Sequence, residues 1–288
     1  MRPTIAAWFE LHGLPGALVP DYFVLVALSA MLGSAWALRQ ARRDGVDVGA
    51  EAWTLGIAYV GALLGGYLFE GLRVLPVALA TLSLAPFGHI GRAAWGGLLF
   101  GAVAAFWHLR RRRQPIAPFF DRVVVAAGLA FVLVRVGCFL SGCDYGVPTA
   151  LAIGVRFPSG SLAAMDHLAR GWVPAGSRSL PVHPTELYES AVSLVGLLLA
   201  LGLLRQRRHD GRAFLAWLAV YATGRLAIEF LRGDVSRGLY LGLSSAQYVS
   251  LATLFACAAL WPRAGTRNRV EVLAARASGL GLGNGASS

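Results

Sequence analysis

The chain has 288 residues, 56% of them hydrophobic and only 14% charged, with a mean hydropathy of +0.59. About a quarter of the residues in an ordinary soluble domain are charged, so this composition excludes a water-soluble globular protein. The formal net charge is +11 and all 26 basic residues are arginine. Such charge suits either a nucleic-acid partner or the cytoplasmic flanks of membrane spans, and the placement of the arginines decides for the spans.

In chain order, the first twenty residues hold only short apolar pieces around Glu10 and His12. They do not read as a cleavable signal peptide, so the first span is expected to double as the insertion signal. Apolar runs of roughly twenty residues cross a bilayer core about 30 Å thick. Seven such runs are expected, over residues 22–38, 52–72, 93–109, 121–140, 187–204, 212–231 and 245–261. The second and third ("GALLGG", "WGGLLFGA") are dense in small residues that allow close helix approach, which places them inside the bundle.

The connections alternate in arginine content. The first (Arg39, Arg42, Arg43), the third (Arg110 to Arg113), the fifth (Arg205, Arg207, Arg208) and the C-terminal tail are strongly basic, whereas the second and sixth are weakly so. The positive-inside rule then puts the N-terminus outside and the C-terminus in the cytoplasm. The expected fold is all-α: a polytopic membrane protein of seven transmembrane helices in one domain, residues 1–262, with a basic, low-complexity tail over 263–288. A loop-rich external segment, 141–186, joins spans 4 and 5. It carries Pro148, Pro158, Pro174, Pro181 and Pro184, with one short helix near 161–170. No internal repeat is visible, which disfavours an inverted-repeat transporter.

Ionisable groups inside spans cost several kcal/mol unless paired or hydrated, so each one needs an explanation. In the sixth span Arg225, Glu229 and Arg232 stand at i, i+4 and i+7, with Tyr221 one turn earlier on the same face. They form either a self-contained salt bridge or, with one carboxylate between two arginines, a site for an anion. Arg135 in the fourth span has no carboxylate within a helical turn. It either snorkels to the headgroup region or joins Arg225 on one phosphate, which suits the guanidinium fork. His183, before Pro184 at the start of the fifth span, is an interfacial structural histidine or a general base. Glu186 and Glu189 fall in the first turns of that span, where the helix dipole favours acids, and read as structural. Tyr22 opens the first span at the same face. Cys138 and Cys143, five apart, fit no usual zinc or redox spacing, so metal and disulfide chemistry are set aside.

Three stretches, "RVGCFLSGCDYGVPT", "HPTELYE" and "GRLAIEFLRGD" with its upstream tyrosine, occur in this order. Together they resemble the phosphatidylglycerol–prolipoprotein diacylglyceryl transferases of bacterial inner membranes, and the likeness runs over residues 22–261. The resemblance implies transfer of the diacylglyceryl group of phosphatidylglycerol to the lipobox cysteine thiol of a prolipoprotein, releasing glycerol phosphate, without metal or cofactor. It implies catalytic roles for Arg135, Arg225, His183 and Tyr221. It implies substrate contacts from Tyr22, Ser141, Gly142, Glu229, Arg232, Trp95, Gly96 and Gly97. Three positions depart from the family pattern. Trp95 stands where many members have His or Tyr, Tyr67 replaces an arginine, and the acid after "SG" comes one residue later, as Asp144. Trp95 and Tyr67 motivate a second reading, a catalytically silent relative that binds phospholipid or lipoproteins.

Overall fold

The computed structural model describes residues 22–83, 94–206, 210–233 and 239–264. Eight α-helices make up most of them. These are α1 (Tyr22–Arg43), α2 (Val48–Thr81), α3 (Ala94–Arg111), α4 (Ile116–Ser141), α5 (Leu162–Ala169), α6 (Thr185–Leu204), α7 (Arg212–Ile228) and α8 (Ser245–Leu260). A 3-10 turn, Glu229–Leu231, extends α7, and a two-residue antiparallel pair, β1 (Leu239–Tyr240) and β2 (Leu243–Ser244), leads into α8. Each expected span corresponds to a helix, and α5 is the short helix expected in the loop segment.

Five of the helices (α1, α2, α4, α6 and α7) are long and apolar enough to cross a membrane. The chain is therefore an all-α, multi-pass membrane protein. α8 is apolar but has 16 residues, and α3 ends on Arg110 and Arg111. The side chains of Tyr22 and Trp95, and the tail beyond Ala264, lie outside the described residues.

Local chemistry sets where the helices begin and end. α4 stops where Gly142 takes a left-handed conformation (φ 64°). Its N–H then reaches Phe139 O at 3.1 Å, and the Cys143 N–H reaches Cys138 O at 3.2 Å, the paired bonds of a Schellman ending. α7 is capped from another helix: the buried Asp121 of α4 accepts the N–H groups of Gly211 (2.8 Å) and Phe214 (3.0 Å). Ser244 and Gln247 cap α8 reciprocally.

α4 is the centre of the bundle, in contact with α1, α6 and α7. Val124 and Val125 of α4 pack with Leu197, Ala200 and Leu204 of α6 and with Ala213 and Trp217 of α7. Hydroxyls link the same helices. Ser193 Oγ donates to Gly128 O (3.1 Å), Trp217 Nε1 donates to Ser193 Oγ (3.3 Å), and Ser190 Oγ donates to Val132 O (3.1 Å). Each such bond within a membrane bundle is worth about 0.6 kcal/mol. At the α4 N-terminus Arg122 grips Glu51 of α2 through two bonds of 2.7 and 2.8 Å, which anchors the α1–α2 turn.

α2 and α3 do not sit inside the bundle as their small residues led us to expect. They pack mainly along each other and join α1 and α4 through Leu55, Ala105 and Leu109, buried against Ala37 and Phe119, while Leu64, Leu68 and Val103 stay open. Glycines on facing stripes permit close approach without specifying the partner, and lipid covers an apolar outer face as well as protein does. A Cβ on Gly65 would stand 2.2 Å from Phe100 Cβ, and one on Gly96 would stand 2.4 Å from Phe69 Cβ. Gly65→Val is expected to wedge the pair apart at a cost of about 1–3 kcal/mol, seen as a lowered thermal midpoint in detergent. An unchanged midpoint would show that the close approach is dispensable.

Candidate active site at one end of the bundle

The C-terminal ends of α4 and α7 and the N-terminal end of α6 meet in a cluster of buried charges. Glu189, fully buried one turn into α6, is its hub. Arg135 Nε of α4 lies 2.8 Å from Glu189 Oε2, Arg225 Nε of α7 lies 3.6 Å from Oε1, and Arg232 Nη1 donates to Oε1 at 3.3 Å. Tyr221 Oη donates to Oε2 at 2.9 Å. Arg225 Nη1 also donates to Glu229 Oε2.

Asp144 closes the ring from the loop after α4. One carboxylate oxygen accepts from Arg135 Nη1 at 2.7 Å, and the other accepts from Arg232 Nη2 at 2.6 Å. Asp144 holds a left-handed backbone (φ 66°), and Thr185 Oγ1 donates to its carbonyl at 2.7 Å. Next to it, residues 145–147 are strung between two other segments. The Gly146 N–H reaches His183 O (2.9 Å), the Val147 N–H reaches Leu231 O (2.8 Å), and the Gly233 N–H reaches Tyr145 O (3.1 Å). A Cβ on Gly146 would meet His183 Cβ and His183 O at 2.6 Å and Leu231 O at 2.7 Å. Only glycine fits between them, and this strap fixes Asp144, His183 and Arg232 relative to one another.

Three arginines thus face three carboxylates, Glu189, Glu229 and Asp144. The positive surplus read along α7 alone is balanced by acids from α6 and the loop. Binding capacity remains in donor geometry: among the described residues, the buried Nε and Nη2 of Arg225 make no hydrogen bond. Glu186, fully buried in the first turn of α6, has no hydrogen-bond partner on either oxygen among the described residues. A guanidinium N–H held out of water without an acceptor is costly, and a phosphate oxygen would satisfy it.

Arg135 is paired inside the cluster, with Asp144 and Glu189, and does not reach outward. The cluster brings together Arg135, Arg225, Tyr221, Glu229 and Arg232. His183 stands beside the strap with Nδ1 3.1 Å from Tyr188 Oη, and among the described residues its Nε2 has no partner. Ser141 and Gly142 form the α4 ending. Gly96 and Gly97 lie against α2, at Phe69 and Ala62, away from the arginines. The cysteines are free. Cys138, Cys143 and Asp144 place ligand atoms within 4.8 Å of one another, but the Asp144 carboxylate is already engaged by two guanidiniums. A hydrogen bond shared with Cys138, together with burial, pushes the Cys143 thiol well above the usual range.

The profile of the prolipoprotein diacylglyceryl transferase family matches residues 11–263. The chain belongs to that family. A phosphatidylglycerol–prolipoprotein diacylglyceryl transferase of Clostridium tetani is 29% identical over 259 residues, covering 88% of this chain and 94% of its own. The Thermus thermophilus protein of the same name is 30% identical over 219 residues, 72% of this chain and 77% of its own. Phosphatidylglycerol–prolipoprotein diacylglyceryl transferase 1 of Streptomyces coelicolor is 34% identical over 194 residues, 66% and 53% respectively. The family read from the three motifs is therefore borne out. In this member of the transferase family the sequence reading missed Glu189 as the hub, Asp144 as the bridge and Gly146 as the strap. The "YG" after Asp144 and the charged pair in "HPTELYE" were the available signals.

Proposed function

We propose that the chain transfers the diacylglyceryl group of phosphatidylglycerol to the cysteine thiol of a prolipoprotein lipobox. The observation that carries this reading is the buried guanidinium of Arg225, held by Glu189 and Glu229 yet with Nε and Nη2 making no hydrogen bond among the described residues. It is a fixed donor for a phosphate oxygen at the end of a membrane bundle.

In the reaction the substrate thiolate attacks the glyceryl carbon that bears the phosphate ester. A C–S bond forms, the C–O bond breaks, and glycerol phosphate leaves with the electron pair. Arg225 and Arg135 neutralise charge growing on the departing phosphate, a preorganised electrostatic contribution, and hold the ester in line with the thiol. Glu189, Glu229 and Tyr221 fix the guanidinium planes. His183, with Nε2 open, takes the thiol proton. Tyr22 and Trp95, at the starts of α1 and α3, are assigned to the lipid path, as are Ser141, Gly142, Gly96 and Gly97.

The same reading places the protein in the bacterial inner membrane with seven spans. The N-terminus and the α4–α6 segment face outward, and the basic connections and tail face the cytoplasm. Residues 1–262 then form one transmembrane domain. The curated relatives carry the transferase name, and nothing in the geometry favours the silent reading. Expression in a bacterium depleted of its own transferase is expected to restore lipidation of a reporter prolipoprotein, followed by intact mass. Stable insertion without any lipidated reporter would support the silent relative instead.

A further inference from the structure

The short helix α5 is amphipathic in an inverted sense. Ala163, Ala164 and His167 are buried beneath it, where His167 meets the Tyr145 and Trp172 rings. Its outward face is the apolar one. Leu162, Met165 and Leu168, together with Trp172 just beyond the helix, are each 40–47% exposed. At 3.6 residues per turn the three helical positions fall within an arc of about 120°. A stripe of this kind on a water-facing segment marks an interaction surface.

Both ends of α5 are tied to ends of membrane spans. At its start, Ser161 caps the helix and lies against Gly142, where an added Cβ would stand 3.2 Å from Ser161 Cβ. Gly142 is the capping residue just past the end of α4. At its other end, Arg170 Nη2 donates to Gly233 O at 3.4 Å, two residues past the 3-10 turn that extends α7. Asp166 strengthens this tie, accepting from Arg170 at 2.8 Å and from Tyr145 Oη at 2.6 Å. A rod of eight residues, about 12 Å long, is thereby tied to the end of α4 and to the segment just past α7. The Arg170 guanidinium lies 4.8 Å over the Trp172 ring, and Trp beside Arg is the composition of a membrane–water boundary.

We propose that α5 is an interfacial helix whose Leu162, Met165, Leu168 and Trp172 face seats in the lipid headgroup–acyl boundary beside the arginine cluster. The occupant of the stripe is lipid surface, since the tethers hold the helix at the ends of two apolar membrane-length helices and the exposed set is the apolar, Trp-bearing face of an in-plane membrane helix. This inference rests on the multi-pass fold and not on the transferase reaction, so it stands or falls separately from the proposed activity.

The test uses the full chain in phosphatidylglycerol-containing nanodiscs and the Trp172 component of fluorescence, taken as wild type minus Trp172→Phe. With lipids brominated on the acyl chains, this component is expected to fall several-fold, while aqueous iodide leaves it nearly unchanged. Strong quenching by iodide with none by bromolipid would overturn the proposal by placing the stripe in water. Protection from both quenchers would also overturn it, because protein and not lipid would then cover the face. A second readout does not depend on Trp172. A nitroxide on Met165→Cys, made with the three native cysteines replaced by serine, is expected to collide more with oxygen than with a water-soluble nickel chelate. A probe on Ala175→Cys in the exposed loop is expected to show the reverse. Equal behaviour at the two positions would contradict the assignment.

Discussion

Glu189→Gln is expected to cut the rate of prolipoprotein modification by at least about 100-fold and to lower stability by about 3–5 kcal/mol. The fully buried carboxylate touches Arg135, Arg225, Arg232 and Tyr221 together. An amide keeps the shape but removes the charge that offsets three guanidiniums. Removing one partner of a buried ion pair leaves the other uncompensated, which is the source of the stability loss. The kinetic loss has a different origin: guanidiniums released from Glu189 turn away from the geometry that holds the phosphate. Chemical unfolding in detergent and a lipidation rate measured on the folded fraction separate the two. A variant with wild-type rate per folded molecule would remove Glu189 from the account of catalysis and leave it a folding residue.

Arg225→Lys is expected to reduce turnover by about 100- to 1,000-fold, the scale of losing one preorganised donor to a developing oxyanion, while the protein still inserts. Lysine can keep the charge and a contact with Glu229, but it has no second nitrogen to offer where Nη2 stands free. The two arginine roles, pairing with acids and reaching outward, need a planar fork with several donors. Arg135→Ala is expected to lose lipidation as well, because Arg135 bridges Glu189 and Asp144 at 2.8 and 2.7 Å. If Arg225→Lys retained full turnover, the charge alone would suffice and the unpartnered donors would have no part in the reaction.

The helices and the arginines of the site were legible in the sequence for the same reason. An apolar run declares a span, and a charge inside it stands out against lipid. Arg135, Arg225 and Arg232 could be singled out without any structure, as could the i, i+4 pairing of Arg225 with Glu229. Their partners could not. Glu189 is 43 residues from Arg232, and Asp144 is 88 residues from it. Spacing along a helix therefore predicted a positive surplus that the fold neutralises. In the sequence Glu189 resembles an acid placed for the helix dipole, and only the meeting of α4, α6 and α7 shows it beneath three guanidiniums. The α2–α3 pair was misplaced for a related reason, since small residues announce contact without naming the neighbour.

The two acids also revise how the site recognises an anion. An arginine cluster with net positive charge would hold any phosphate. Under the proposed reading, a neutral cluster would select by geometry, through the Arg225 donors. Asp144 is the more exposed of the bridging acids.

The most direct measurement is product analysis on the purified protein in phosphatidylglycerol nanodiscs with a peptide containing a lipobox cysteine. Transfer predicts one glycerol phosphate released for each thioether-linked diacylglyceryl peptide, with no release when the cysteine is replaced by serine. Glycerol phosphate formed without the thioether, or lipid and peptide bound with neither product formed, would contradict the account.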